Sequence, residues 1–402
     1  MNIWSSLRGL PRDIWVLSIA TLINRTGTMV LPFLVLYLTR ERGLSAPRAG
    51  LALAVYGAGA IIAAPIAGRI SDRIGPLPIM RWSLMISGIL LIVFPMIHGF
   101  AGIIAITFVW AVVTESFRPA NLALIADIVT PAQRKPAYAL TRLAINLGMS
   151  IGPAAAGFIA AKSFTLIFMV DAATTIAAAV VLMFTPLAAS RVVKGMSEEP
   201  QPGRVRRLLV LEDRRLLLFL GALFLTGFVF FQHEGALPLF LVNDLSLSPA
   251  FYGALFTVNT VMIVFMEVPL NAATAHWPHA RALSLGAFLF AVGSGALALA
   301  NGPGMVIAAI VVWTFGEMML FPQASAYVAE IAPAHRRGEY MGAYSVAFSL
   351  AFAVAPWAGT TALAKFGAQD LWLSVFVIGG ISALMMLRVT ALRSVETVRG
   401  AA

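Results

Sequence analysis

Residues 109–127 read VWAVVTESFRPANLALIAD, and about 203 positions later residues 312–330 read VWTFGEMMLFPQASAYVAE. Trp110 returns as Trp313, Pro119 as Pro322 and Asp127 as Glu330; outside the quoted stretch Pro153 returns as Pro356. Upstream, LPFLVLYL at 31–38 has its counterpart in LPLFLV at 237–242. The second half of the chain is a divergent copy of the first.

The composition sets the solvent. With 60% hydrophobic and only 11% charged residues, the chain would expose far too much apolar surface in water, so it is read as an integral membrane protein. At about 20 apolar residues per crossing plus a turn, 402 residues give about twelve spans. Spans 1 to 6 are expected at 14–39, 47–70, 77–98, 102–129, 137–161 and 164–187, and spans 7 to 12 at 216–243, 249–272, 281–300, 303–330, 339–364 and 369–392. The first apolar segment is too long for the core of a secretory signal and runs directly into the bundle. The expected fold is all-α and membrane-integral, with twelve helices in two pseudo-symmetric six-helix bundles at 1–189 and 216–402. Between them 190–215 is polar and rich in Pro, Gly and charge; some 25 residues cannot enclose a core, so it reads as a linker on one membrane face. Paired halves in so apolar a chain are the organisation of a secondary transporter, with the substrate site between the repeats and access alternating as they rock.

Basic residues orient the chain. One side collects Arg8, Arg12, Arg69, Arg73, Arg134, Lys135, Arg204, Arg206, Arg207, Arg214, Arg215, Arg336, Arg337 and the C-terminal arginines, against Arg40, Arg42, Arg48, Lys162 and Lys365 on the other. The positive-inside rule then places both termini in the cytoplasm of a bacterial inner membrane. The net charge of +10 follows from this bias and suits contact with anionic lipid; scattered over short loops, it makes no groove for nucleic acid. Cysteine is absent and the five histidines are dispersed, so thiolate metal sites and disulfides are excluded and no metal or cofactor is expected. Without HExxH, P-loop or dinucleotide glycine patterns in a usable context, neither an ATPase nor another enzyme is supported.

The loop after span 2 reads Gly68-Arg69-Ile70-Ser71-Asp72-Arg73-Ile74-Gly75. Its glycines permit a tight turn, and Asp72 can accept hydrogen bonds from helix N-termini or pair with arginine to latch one access state; an ordinary interfacial turn is the alternative. Span 5 carries Gly148, Gly152, Pro153 and Gly157, a small-residue face along which another helix can approach, with Pro153 removing one backbone hydrogen bond and favouring a bend. The loop resembles the G-x-x-x-D-R-x-G motif of the major facilitator superfamily, in the position it has there. The span 5 pattern is similar to that of the drug:proton antiporter branch. The resemblance covers the whole chain and implies twelve helices, proton-driven exchange of small molecules and a functional monomer. Two departures stand out: Pro76 and Leu77 follow the loop motif where basic residues are usual, and Asn24-Arg25 occupy the region of span 1 where the branch often has an acid.

Charges inside the membrane are the sharper signal, since each costs roughly 2.5–3.5 kcal/mol at the bilayer centre. Arg25 in span 1 is expected either to line the cavity, binding an anion or neutralising Asp171 or Glu115, or to form a fixed interhelical pair. Glu115 and Arg118, three apart on span 4, are expected to pair with each other. Glu234 has no Lys or Arg within a helical turn in sequence and is the first candidate for the proton carrier, followed by Glu317 and Glu267, with Glu115 and Asp171 behind them. His233 is expected to point about 100° round the helix from Glu234. Asn24, Arg25, Arg118, Gln232, Phe231 and Met266 are candidates for the substrate cavity, whose Met and aromatic surfaces can repack around different ligands. The function expected is proton-coupled antiport exporting small amphipathic molecules; the alternative is symport importing a peptide, sugar or organic anion.

Overall fold

The computed structural model describes residues 9–186, 213–333 and 336–389. The segment expected as a linker lies outside the described residues up to position 212, as do Arg8, Arg393 and Arg399. Every regular element among the described residues is helical. Eleven helices are long and apolar enough to cross a membrane. The last, Arg337–Arg388, is non-helical at Gly367 (φ 84°), a left-handed value that favours glycine. That interruption divides it into two crossings, and the twelve expected spans are present. Span 5 begins earlier than its hydropathy, at Pro131, because Thr130 and Gln133 form a capping box with proline at the first helical position. It runs uninterrupted through Pro153.

Cα proximity groups the chain into two units: Met1–Arg42, Val55–Gln201 and Ser248–Thr260, and Gly43–Ala54, Pro202–Leu247 and Val261–Ala402. They follow the two halves except that the first turns of span 2 and span 8 are exchanged. Glycines allow this. In the first unit Gly157 lies against the backbone of Pro249 and Ala250, and Gly253 against the carbonyl of Pro153; in the second, Gly50 lies against Pro356 and Thr360. A side chain at any of these would hold the helices apart.

Three spans expected to be continuous are broken. Span 4 divides into Phe100–Glu115 and Phe117–Ile128 at Ser116, whose Oγ turns back to donate to the Val112 carbonyl at 2.7 Å. Such back-bonding competes with the helix ladder. Span 1 divides into Arg12–Thr26 and Val30–Arg40 around Gly27–Met29. Span 7 runs as Arg214–Phe230, a 3-10 turn Phe231–His233, a short helix Ala236–Leu239 and a π-helical turn Phe240–Asp244. The breaks in spans 1 and 7 fall at corresponding points of the repeat.

In hydrocarbon, backbone groups freed by a break must find partners inside the protein. In span 1 the amides of Met29 and Val30 donate to Asp171 Oδ2 at 3.1 and 3.0 Å. Asp171, on span 6, is buried. Its Oδ1 also accepts from Thr175 Oγ1 at 3.4 Å, and that hydroxyl accepts from Asn24 Nδ2 at 3.3 Å. Asn24 precedes the break and Met29 follows it, so one side-chain chain ties both of its sides to span 6. Span 5 comes against the same place: a Cβ at Gly152 would sit 3.0 Å from the carbonyl oxygens of Arg25 and Thr26, and one at Gly148 would sit 2.8 Å from the Arg25 carbonyl carbon.

Asp171→Ala should destabilise the protein far more than Asp171→Asn, which keeps an acceptor for the two amides; leaving them unpaired costs about 1–3 kcal/mol each. Thermal unfolding in detergent checks this, and equal losses would contradict the capping role. In the same assay Gly152→Leu should prevent stable folding, whereas Gly68→Ala, with open space beside it, should leave the melting temperature unchanged.

Candidate functional site

In the first unit the span 1 break opens onto a cleft of about 550 Å³ lined by Asn24, Arg25, Thr28, Tyr56, Ser87, Trp110, Thr114, Glu115, Asp171 and Thr175 among others. It gathers three of the charged groups singled out from the sequence. Asp171 is pinned as described. Glu115 Oε1 accepts from Tyr56 Oη at 2.8 Å, and the wall beside it is a polar relay in which Trp110 Nε1 donates to Ser87 Oγ at 3.2 Å and Ser87 meets Thr114 at 2.6 Å. Arg25 brings a guanidinium whose Nε is buried without a hydrogen-bond partner among the described residues. A cation in that position can be met by an anionic group of a ligand or by a change in its carboxylate neighbours.

The expected ion pair between Glu115 and Arg118 is not formed. The helix breaks between them at Ser116, which removes the i, i+3 register, and Arg118 is exposed while Glu115 turns to Tyr56. Tyr56 carried no signal in the sequence, since it lies 59 positions from Glu115.

In the second unit Glu234 lies between the 3-10 turn and the short helix of span 7 and is buried. Because the chain has left α-helical geometry there, His233 does not point away from it: His233 Nε2 is 3.6 Å from Glu234 Oε1. The other ring nitrogen, His233 Nδ1, is 2.7 Å from the Phe230 carbonyl. A small cleft of about 250 Å³ is lined by Gln232, His233, Trp313 and Trp372 with apolar neighbours. Gln232 gives its Nε2 to the carbonyls of Phe228 and Ala355, so its amide braces span 7 against span 11. Gln232 Oε1, Trp313 Nε1 and Trp372 Nε1 are each buried with no hydrogen-bond partner among the described residues. Gln232 Oε1 lies against Gly359 of span 11, and the two indole N–H groups belong to residues that line the cleft, which has room for no more than about one water.

The remaining candidates are dispersed. Phe231 packs into an aromatic cluster with Phe348 and Phe352. Met266 is exposed on span 8. Glu267 is half-buried, and its carbonyl accepts from Asn271 Nδ2 at 2.8 Å; Glu317 is half-buried in span 10. The segment expected as a loop from Gly68 is helical up to Ile74, because span 2 runs on as Ala46–Ile74, and the turn falls on Gly75 alone, which adopts φ 84° and precedes span 3. Asp72 and Arg73 are exposed, and Asp72 forms no ion pair among the described residues.

Residues 17–243 and 234–400 match the family model described as Major Facilitator Superfamily. The chain is 23% identical over 407 residues to a Na(+), Li(+), K(+)/H(+) antiporter of Planococcus maritimus, covering 94% of this chain and 96% of that one. It is 30% identical over 177 residues to the multidrug resistance protein MdtG of Proteus mirabilis (strain HI4320), covering 43% and 44%. The solved structure of the peptide transporter POT in complex with sulfate superposes with a TM-score of 0.76 at 17% identity over 95% of this chain and 94% of that one, which establishes the shared fold. With the family model spanning both repeats and the twelve-helix architecture in place, the chain belongs to the major facilitator superfamily: it is an integral membrane transporter and not an enzyme.

Proposed function

We propose that this protein is a proton-coupled antiporter that exports small amphipathic molecules by alternating access across a bacterial inner membrane, acting as a monomer with both termini cytoplasmic. The carrying observation is the pair of helix breaks at corresponding points of spans 1 and 7, each with a buried carboxylate at it, Asp171 at the first and Glu234 at the second. Interrupted helices in matching positions of two repeats are where transporters place substrate and coupling-ion sites. Glu234 is the proton carrier in this reading and Glu317 the second candidate. In the cycle, Glu234 takes up a proton from outside as substrate leaves, the neutral form permits the two halves to change access, and release inward readies the protein for the next molecule. The small-residue face of span 5 and the relative named for multidrug resistance support export of drug-like molecules. The relative named as an antiporter supports exchange against protons.

A second reading has its own observation. The buried Arg25 Nε without a hydrogen-bond partner among the described residues suits capture of an anionic group, as a symporter of peptides or organic anions requires.

Proteoliposomes with an imposed pH gradient separate the two. Lipophilic cations should dissipate the gradient in the antiport direction, and Glu234→Gln should abolish that flux while substrate binding persists; Glu317→Gln should leave it largely intact. Flux in the symport direction on addition of anions or peptides, lost in Arg25→Gln, would replace export with import, and flux indifferent to Glu234→Gln would remove that residue from the coupling step.

A further inference from the structure

We propose that the second unit carries a membrane-facing site for an anionic phospholipid, with an acyl chain in the groove between residues 279–296 and 368–388 and the phosphate seated on Arg281. The site is independent of which solute is transported or in which direction.

The two helices meet at one end and part at the other. Near Gly295 the Phe376 side chain, and near Gly379 the Ala291 methyl group, lie so close that a Cβ on either glycine would have to displace them. Toward Arg281 and Leu387 they separate and leave a groove of about 1040 Å³. Its floor is Gly380 and Ala383; Gly380, next to the tightly packed Gly379, has nothing within 4 Å of where a Cβ would stand. Phe288, Leu384 and Leu387 line it and are exposed. From Arg281 to Phe288 the wall runs about 10 Å along the helix at 1.5 Å per residue, room for a stretch of acyl chain.

Apolar shape alone would not single out a lipid, because in the bilayer every neighbouring tail is as apolar as the groove. The charge at its mouth does. Arg281 is exposed, forms no ion pair among the described residues, and stacks its guanidinium over Trp277 with Cζ 4.2 Å from the ring centroid. A tryptophan with an arginine across its face is suited to the headgroup level, where the indole sits at the interface and the guanidinium is held toward phosphate. Arg388, also exposed, is four residues beyond Leu384 and so lies on the same helix face, adding a second cation at this end. Two guanidiniums above an apolar slot match a lipid of net negative charge better than a zwitterionic one.

The test is native mass spectrometry of the full-length protein in detergent, titrated with phosphatidylglycerol and with phosphatidylcholine of the same chains. The wild type should retain one phosphatidylglycerol under conditions that strip phosphatidylcholine. Arg281→Gln should weaken that binding, and with it the preference over phosphatidylcholine, about fivefold, the scale of one basic residue at an anionic surface; Gly380→Leu, which fills the floor, should lose the bound lipid whatever its headgroup. Equal retention of both lipids by the wild type, or a preference unchanged in Arg281→Gln, would overturn the proposal. Should Gly380→Leu fail to fold, the Arg281→Gln comparison decides alone.

Discussion

The two amides that the span 1 break releases into the interior of a membrane bundle govern the arrangement around them. Lipid offers them no acceptor, so the bundle has to, and Asp171 supplies one to Met29 and Val30. Much of the first unit follows from that requirement. A carboxylate has to be buried on span 6. Thr175 and Asn24 have to complete its shell. Span 5 has to present Gly148 and Gly152 where span 1 departs from its helix. The glycine pattern first read from the sequence as a generic packing face is, in place, the surface against which a broken helix is held.

The crossings were legible because hydropathy over about 20 residues is a strong signal and the repeat doubled it. Even Gly367, which divides the last long helix, fell between two expected spans. The breaks were not legible, since apolar residues continue through them and hydropathy does not report backbone hydrogen bonding. Gly27 and Gly235, each beside a polar residue in span 1 or span 7, were the available hints, yet glycine is common enough in membrane helices that neither decides.

Two side-chain orientations expected from the sequence differ in the structure, and both expectations assumed an ideal helix. Pairing Glu115 with Arg118 relied on an i, i+3 register that Ser116 interrupts. Separating His233 from Glu234 relied on 100° per residue, in a segment that is a 3-10 turn followed by a non-helical junction. Both errors have one origin: polar side chains and glycines relax the helix at the places where charges occur, so helical periodicity is least trustworthy there. Long-range partners such as Tyr56 for Glu115 are set by tertiary packing and leave no trace in local pattern.

The matching breaks in the two repeats carry different chemistry, and that difference assigns the labour within the proposed cycle. Asp171 faces two backbone amides, donors that cannot themselves titrate, and its oxygens are committed to holding the chain; a cycle that altered those bonds would loosen span 1 each time. Glu234 lies 3.6 Å from the His233 imidazole, and it sits where span 7 changes from one helical form to another. In the proposed cycle the proton is exchanged at the second break, and the Asp171 cap on span 1 stays in place. Under the proposed cycle the first break is the fixed joint and the second the one that responds, an asymmetry between the repeats that coupled transport would use.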